Sequence, residues 1–172
     1  ALTTTALTTI NAGTITADGV DVKVAYTWDN DWGRFRASLD FTHVRQYLLQ
    51  DVPGLELGLL ETGVFDAAGT TGDGNLVRSM PDNKGNIALS WSRNKHGAAI
   101  ITRYIGGYRD LAYDNAIRTA NPRVAALLKP TINSYTSMDL QYNYTHEWAN
   151  SRMGTTTFTV GALDAFNATI PY

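Results

Sequence analysis

Cysteine is absent from the 172 residues. That excludes disulfides, thiolate zinc sites, iron–sulfur clusters and thiol nucleophiles together. Charge is also scarce: charged residues make up 17%, against about 25% in a typical soluble domain. Lys plus Arg (14) nearly balances Asp plus Glu (16), and no basic run exists, so nucleic acid is not an expected partner. No apolar stretch approaches the ~20 residues that a membrane helix needs. The central block Ala98-Ala99-Ile100-Ile101 stops at Thr102 and Arg103. The Thr-rich opening over 1–10 has no basic start and no initiator Met, so it is not a signal peptide. A mature chain, an engineered one or a piece of a longer parent all fit such a start.

Helical periodicity is nearly missing too, and strict alternation takes its place. Val20, Val22, Val24, Tyr26 and Trp28 alternate with Asp21, Lys23, Ala25 and Thr27. Phe35, Ala37, Leu39 and Phe41 do so with Arg34, Arg36, Ser38, Asp40 and Thr42. The pattern returns at Ile87, Leu89 and Trp91, at Met138, Leu140, Tyr142 and Tyr144, and at Phe158, Val160 and Ala162. The spacing predicts about six strands, near 19–29, 33–47, 85–93, 97–109, 133–148 and 154–164. Several exceed the ~5–6 residues common in soluble sheets and match the ~9–11 of a tilted membrane strand. The alternation also predicts that Val20, Val22, Val24, Leu39, Phe41, Met138, Leu140 and Tyr142 share one face.

The connections alternate in length. Asp29-Asn30-Asp31-Trp32-Gly33, Asn94-Lys95-His96-Gly97 and Ala149-Asn150-Ser151-Arg152 are short turns. Long segments near 48–84 and 110–132 separate them, the second with a short-helix signal at Asn121-Pro122 and Pro130. The expected domain is 1–172, an all-β, antiparallel up-and-down sheet forming part of a transmembrane β-barrel. Barrels of the bacterial outer membrane pair tight turns at one rim with large loops at the other. All four Trp (Trp28, Trp32, Trp91, Trp148) fall beside short turns, while Tyr47, Tyr104, Tyr108 and Tyr135 fall near the long loops. Indoles and phenols prefer the headgroup level of a bilayer, so outer-membrane lipid is an expected partner. The polar face would then be a lumen carrying Asp21, Lys23, Arg34, Arg36, Asp40, Arg103, Asp139, Gln141, Asn143 and Glu147. A soluble β-sandwich binding module is the competing reading, with the aromatics filling its core.

Catalytic and metal signals are absent. His43, His96 and His146 lie on different segments without ligand spacing. No nucleophile elbow or phosphate loop occurs, and Asp29 and Asp31 read as turn formers rather than calcium ligands. No catalytic, cofactor or metal residue is expected, and no enzymatic activity.

Asn11, Gly19-Val20-Asp21, Trp32-Gly33-Arg34-Phe35 and Tyr47 form an ordered set of short motifs. Pro81, Asn86-Ile87-Ala88-Leu89-Ser90-Trp91, Ile132-Asn133-Ser134-Tyr135, Asp139-Leu140-Gln141-Tyr142, Val160-Gly161-Ala162 and Asp164-Ala165-Phe166-Asn167 continue it. In order and spacing the chain resembles the C-terminal part of the barrel of TonB-dependent outer-membrane receptors. Asp164-Ala165-Phe166-Asn167 inverts the family's usual Asn and Asp, and one Pro, Pro171, stands where a pair is usual. The resemblance implies a bacterial outer-membrane location and uptake of a scarce ligand such as a ferric siderophore, cobalamin or an oligosaccharide. It implies as partners the rest of the barrel, its plug, and an inner-membrane energy-coupling complex reached through an N-terminal part. A porin or small adhesin is the nearest rival. No ligand-contact residue carries over from the resemblance. An isolated chain of this kind is expected to need detergent, to self-associate through its sheet or to curl into a smaller closed structure.

Overall fold

The computed structural model describes residues 13–51, 64–72, 79–112, 123, 126–127, 129–148 and 154–171. Six long strands make up the body of a seven-stranded antiparallel sheet. They are β1 (Gly13–Asn30), β2 (Gly33–Asp51), β6 (Asn83–Arg93), β7 (His96–Ile105), β10 (Tyr135–Glu147) and β11 (Thr155–Ala162). Their spatial order is β1-β2-β6-β7-β10-β11, so each strand lies beside its sequence neighbour among the long ones. This is the expected up-and-down meander, and each expected strand has its counterpart.

The register fixes the two faces, because directly paired residues point the same way. Val24 faces Leu39, Leu39 faces Ile87, Leu89 faces Ile100, Ile100 faces Leu140, and Tyr142 faces Val160. Val22 with Phe41 and Thr102 with Met138 belong to the same face, so the expected apolar set is united. The opposite face is polar in rows: Lys23, Asp40, Asn86, Arg103 and Ser137 run across five strands. Ile101 and Ile105 are apolar exceptions on it, as the position of Arg103 requires.

No second layer covers the apolar face among the described residues. Val20 is 58% exposed, Ile87 58%, and Val160 67%. Among the described residues the buried apolar side chains are Leu49 and Ala67, both at the long-loop rim. A soluble sandwich would bury these rows against a facing sheet; the described fold has none.

The remaining strands are short and gather at that rim. They are β3 (Val64–Asp66), β4 (Thr70–Thr71), β5 (Ser79–Met80), β8 (Tyr108–Asp110) and β9 (Thr131–Ile132). β3 pairs with Leu48–Gln50 of β2, on the edge that β6 leaves free. The others form a second sheet in the order β5-β4-β8-β9. Three boundaries thus differ from expectation. β1 begins before Gly19, β2 runs on to Asp51, and the segment expected over 97–109 breaks at Gly106-Gly107. There a Cβ on Gly107 would stand 2.7 Å from the Ile132 carbonyl oxygen, so the chain leaves the main sheet through a close backbone approach. Most of the short helix expected after Asn121-Pro122, and the leucines of the first loop (Leu55, Leu57, Leu59 and Leu60), lie outside the described residues.

Candidate functional site: the long-loop rim and the inner wall

Above Gly19 the β1–β2 ladder slips by one residue, and Arg45 is left without a ladder partner. This is a β-bulge, which bends a strand and re-aims its side chains. Arg45 Nε donates to Asp18 Oδ1 at 2.7 Å, and Gln46 Nε2 donates to Asp18 Oδ2 at 2.8 Å. The polar cluster ends the apolar row Val20–Trp28. Ten residues separate Asp18 from Trp28, which is ~34 Å along a strand and ~25 Å of height at a ~40° tilt. That equals the ~25 Å apolar band of outer-membrane barrels.

Aromatic residues crowd the short-turn end of this face. Trp28 stacks on Phe35 with centroids 5.3 Å apart, and Tyr26 stacks on Trp28 at 5.7 Å. Trp91 Nε1 donates to the Trp32 carbonyl at 2.8 Å, and Trp148 Nε1 donates to Thr156 Oγ1 at 2.9 Å. All four Trp therefore lie at the short-turn rim. The Tyr belt expected at the other rim is thinner. Tyr104 lies on the apolar face, but Tyr135 is on the polar one, in the row of Ile105 and Lys84. Tyr47 sits beyond the bulge, and Tyr108 belongs to the second sheet, where burial pushes its phenol above the ordinary value.

The long-loop rim is one hydrogen-bonded platform. Asp66 Oδ1 accepts from the amides of Tyr47 at 2.9 Å and Ala68 at 3.0 Å, which seats the first loop on β2. Gly69 then links both loops: its amide donates to Met80 at 2.8 Å, and its carbonyl accepts from Arg109 at 2.8 Å. Thr70 pairs with Arg109 in the parallel β4–β8 bridge. Thr70 is 2% exposed, and its hydroxyl donates to the Ala67 carbonyl at 2.8 Å. Asp110 donates its amide to Pro130, carrying the tie to the end of the second loop. Beside that end lies an open cleft of about 600 Å³ lined by Lys129, Thr131, Asn133, Thr169 and Ile170. Sequence reasoning missed this platform, because two-residue strands carry no periodicity.

The inner wall is charged and mostly self-compensated. Lys23 pairs with Asp40 at 3.1 Å, Arg34 with Asp29 at 2.9 Å, and Arg103 with Asp139. Arg36 has no ion-pair partner among the described residues. It borders a second cleft of about 410 Å³ with Thr27, Arg34, Ser90, Ser92 and Asn143. Small residues on β6 and β7 form the floor of this trough: Ser92 pairs with Gly97, and Ser90 with Ala99.

His96 and His146 both lie against Tyr144, whereas His43 is apart from them, in the row of Val20 and Asn83. His43 lies well inside β2, and its Nδ1 meets Asn83 Oδ1 at 2.9 Å. No group of three potential metal ligands gathers among the described residues.

A sheet with one lipid-suited face, one charged face and two unequal rims is the wall of a membrane β-barrel. The family model for TonB-dependent receptor-like β-barrels matches residues 1–167, and the chain belongs to that family. It is a family of outer-membrane receptors and transporters, not of enzymes. No curated protein and no solved structure matches the chain.

Proposed function

We propose that residues 1–172 form one part of the barrel wall of an outer-membrane receptor that imports a scarce ligand, of the ferric siderophore, cobalamin or oligosaccharide kind. The observation that carries this reading is the β4–β8 bridge, through which Thr70 and Arg109 join the two long loops into one platform at a single rim. Loops locked together present a defined surface to a ligand, whereas separate loops must be ordered on binding. The cleft at Lys129, Thr131 and Thr169 adjoins the platform and supplies cationic and hydroxyl donors.

Among the described residues, each outer edge of the main sheet, β1 and β11, pairs on one side only. Unpaired edges cannot face lipid, so the reading requires further strands to close the barrel. The charged inner wall, with the trough at Arg36, suits a polar plug filling the lumen. Energy coupling through an inner-membrane complex belongs to the same proposal, as does the lack of enzymatic activity.

Excising 52–80 from the full receptor tests the function. Insertion into the outer membrane is expected to persist and ligand uptake to fall. Undiminished uptake would refute the role of the platform.

A further inference from the structure

At the short-turn rim the membrane face carries cationic and imidazole side chains and no carboxylate among the described strand residues. Arg93 and His96 are ladder partners, and His96 pairs with Tyr144, so all three lie on the apolar face. His146 lies on it as well, paired with Thr156. Lys95 occupies the turn between β6 and β7, and its carbonyl accepts the Thr145 amide at 2.7 Å, which holds the turn against β10. The acidic groups of these strand ends are sorted to the other face. Asp29 is engaged by Arg34 there, and Glu147 stands in the polar row series. Asp31 lies outside the strands, in the turn between β1 and β2.

Arg93, Lys95 and His96 are exposed, and neither Arg93 nor Lys95 has an ion-pair partner among the described residues. His96 Nδ1 meets the Tyr142 hydroxyl at 2.6 Å, which leaves Nε2 for another partner. Rings line the cluster: Tyr144 is 5.2 Å from His96, and Trp148 packs edge-on against His146 at 4.6 Å. Directly toward the middle of the sheet on the same face come Trp91 and Ala98, then Leu89, Ile100 and Leu140.

We propose that this corner binds an anionic phospholipid, with its phosphate at Arg93, Lys95 and His96 and its acyl chains along Trp91, Leu89 and Ile100. The inference rests on the membrane reading above. Charge complementarity selects the headgroup: cations at the interface attract anionic lipid, while the aromatic rings hold the headgroup level. The apolar strip accounts for the tails. A ligand with only one of these two parts would leave half the corner unmatched.

The test is native mass spectrometry of the full receptor in neutral detergent. The probes are phosphatidylglycerol, phosphatidylcholine and diacylglycerol with identical chains. Phosphatidylglycerol is expected to be retained above the other two. The triple variant R93Q/K95Q/H96Q is expected to retain it roughly fivefold to thirtyfold less, the worth of one to two interfacial cations. K84Q, at the opposite rim, is expected to leave the preference intact. Equal retention by the triple variant and the wild type would overturn the site, as would diacylglycerol binding as well as phosphatidylglycerol. If the triple variant does not fold, wild type in rising salt decides: phosphatidylglycerol must be lost while diacylglycerol is unaffected, and salt-independent retention refutes the proposal. A receptor that does not enter detergent micelles at all sinks the membrane reading itself, a distinct failure.

Discussion

Asp139 holds Asp164: its Oδ1 accepts the Asp164 amide at 2.9 Å while its other oxygen pairs with Arg103. One carboxylate on the inner wall thus joins β7, β10 and the chain that leaves β11. The neighbouring amide of Ala165 donates to the Met138 carbonyl at 2.7 Å, and Asp164 Oδ1 in turn accepts from Ala168 at 3.1 Å. Asp164 sits at φ 45, a left-handed conformation that Asp tolerates better than most residues. The inverted order at Asp164-Ala165-Phe166-Asn167 therefore has a structural use: Asp stands where the chain turns, and its own carboxylate closes the turn.

Asp139→Ala is expected to loosen this corner more than Asp139→Asn, because an amide oxygen can still accept from Asp164. Both lose the Arg103 ion pair. The temperature at which the folded barrel loses its faster electrophoretic mobility reads the order. Equal effects would mean that the Asp164 bond contributes nothing.

The two faces of β6 give a second prediction. Leu89 and Ser90 are adjacent, yet Leu89 joins the Ala37–Ile100 row and Ser90 the Arg36–Ala99 row. Leu89→Arg places a cation toward the bilayer interior, at a cost of about 2–4 kcal/mol if near the midplane. Ser90→Arg places it in the lumen, where water or the plug can solvate it. Urea unfolding of the receptor in vesicles is expected to show a large loss for the first and a small one for the second. The reverse order would invert the face assignment.

Much of this was legible in the residues. Val20 to Trp28 alternates without a break, so its face follows from parity alone. The upstream half of β1 and the end of β2 were hidden by the bulge. The expected strand opened at Gly19, and the extra residue at Arg45 shifts the phase of Gln46 to Gln50. The platform was hidden for another reason: Thr70 and Arg109 are far apart in sequence and meet in a bridge of two residues per strand. Gly106-Gly107 was the available signal, since paired glycines inside an apparent strand mark a close backbone approach.

The first turn shows what a glycine is needed for. Gly33 adopts φ 125, and a Cβ there would stand 2.4 Å from the Ser92 carbonyl oxygen. Gly154 adopts φ 61 with nothing within 4 Å of a Cβ. Gly154→Ala meets only the left-handed conformational cost, about 1–2 kcal/mol. Gly33→Ala meets a strain of about 1–3 kcal/mol and a backbone collision as well. Gly33→Ala is expected to lower the yield of folded receptor in the outer membrane sharply, and Gly154→Ala slightly. Equal yields would show that the β1–β2 turn adjusts freely.

The last prediction concerns the 172 residues alone in water. Val20, Val24, Tyr26, Ile87, Phe158 and Val160 are each more than half exposed and lie on the same face of the main sheet. A soluble monomer rarely exposes a contiguous apolar patch above a few hundred Å². β1 adds an outer edge of 18 residues whose free N–H and C=O groups can template a second copy. Detergent covers the face but does not pair the edge, so the two needs are separable. In plain buffer the isolated chain is expected to sediment as large assemblies. In neutral detergent the assemblies are expected to shrink to a few copies joined edge to edge, since β1 and β11 remain open. Replacing Val22 and Val24 by Lys should weaken the apolar contact while leaving the edge, and Thr16→Pro should blunt the edge while leaving the face. Analytical ultracentrifugation of these variants with and without detergent tells the two forces apart. A monodisperse monomer in plain buffer, with Trp28 and Trp91 shielded from quencher, would show that the sheet closes on itself and that its apolar face does not require lipid.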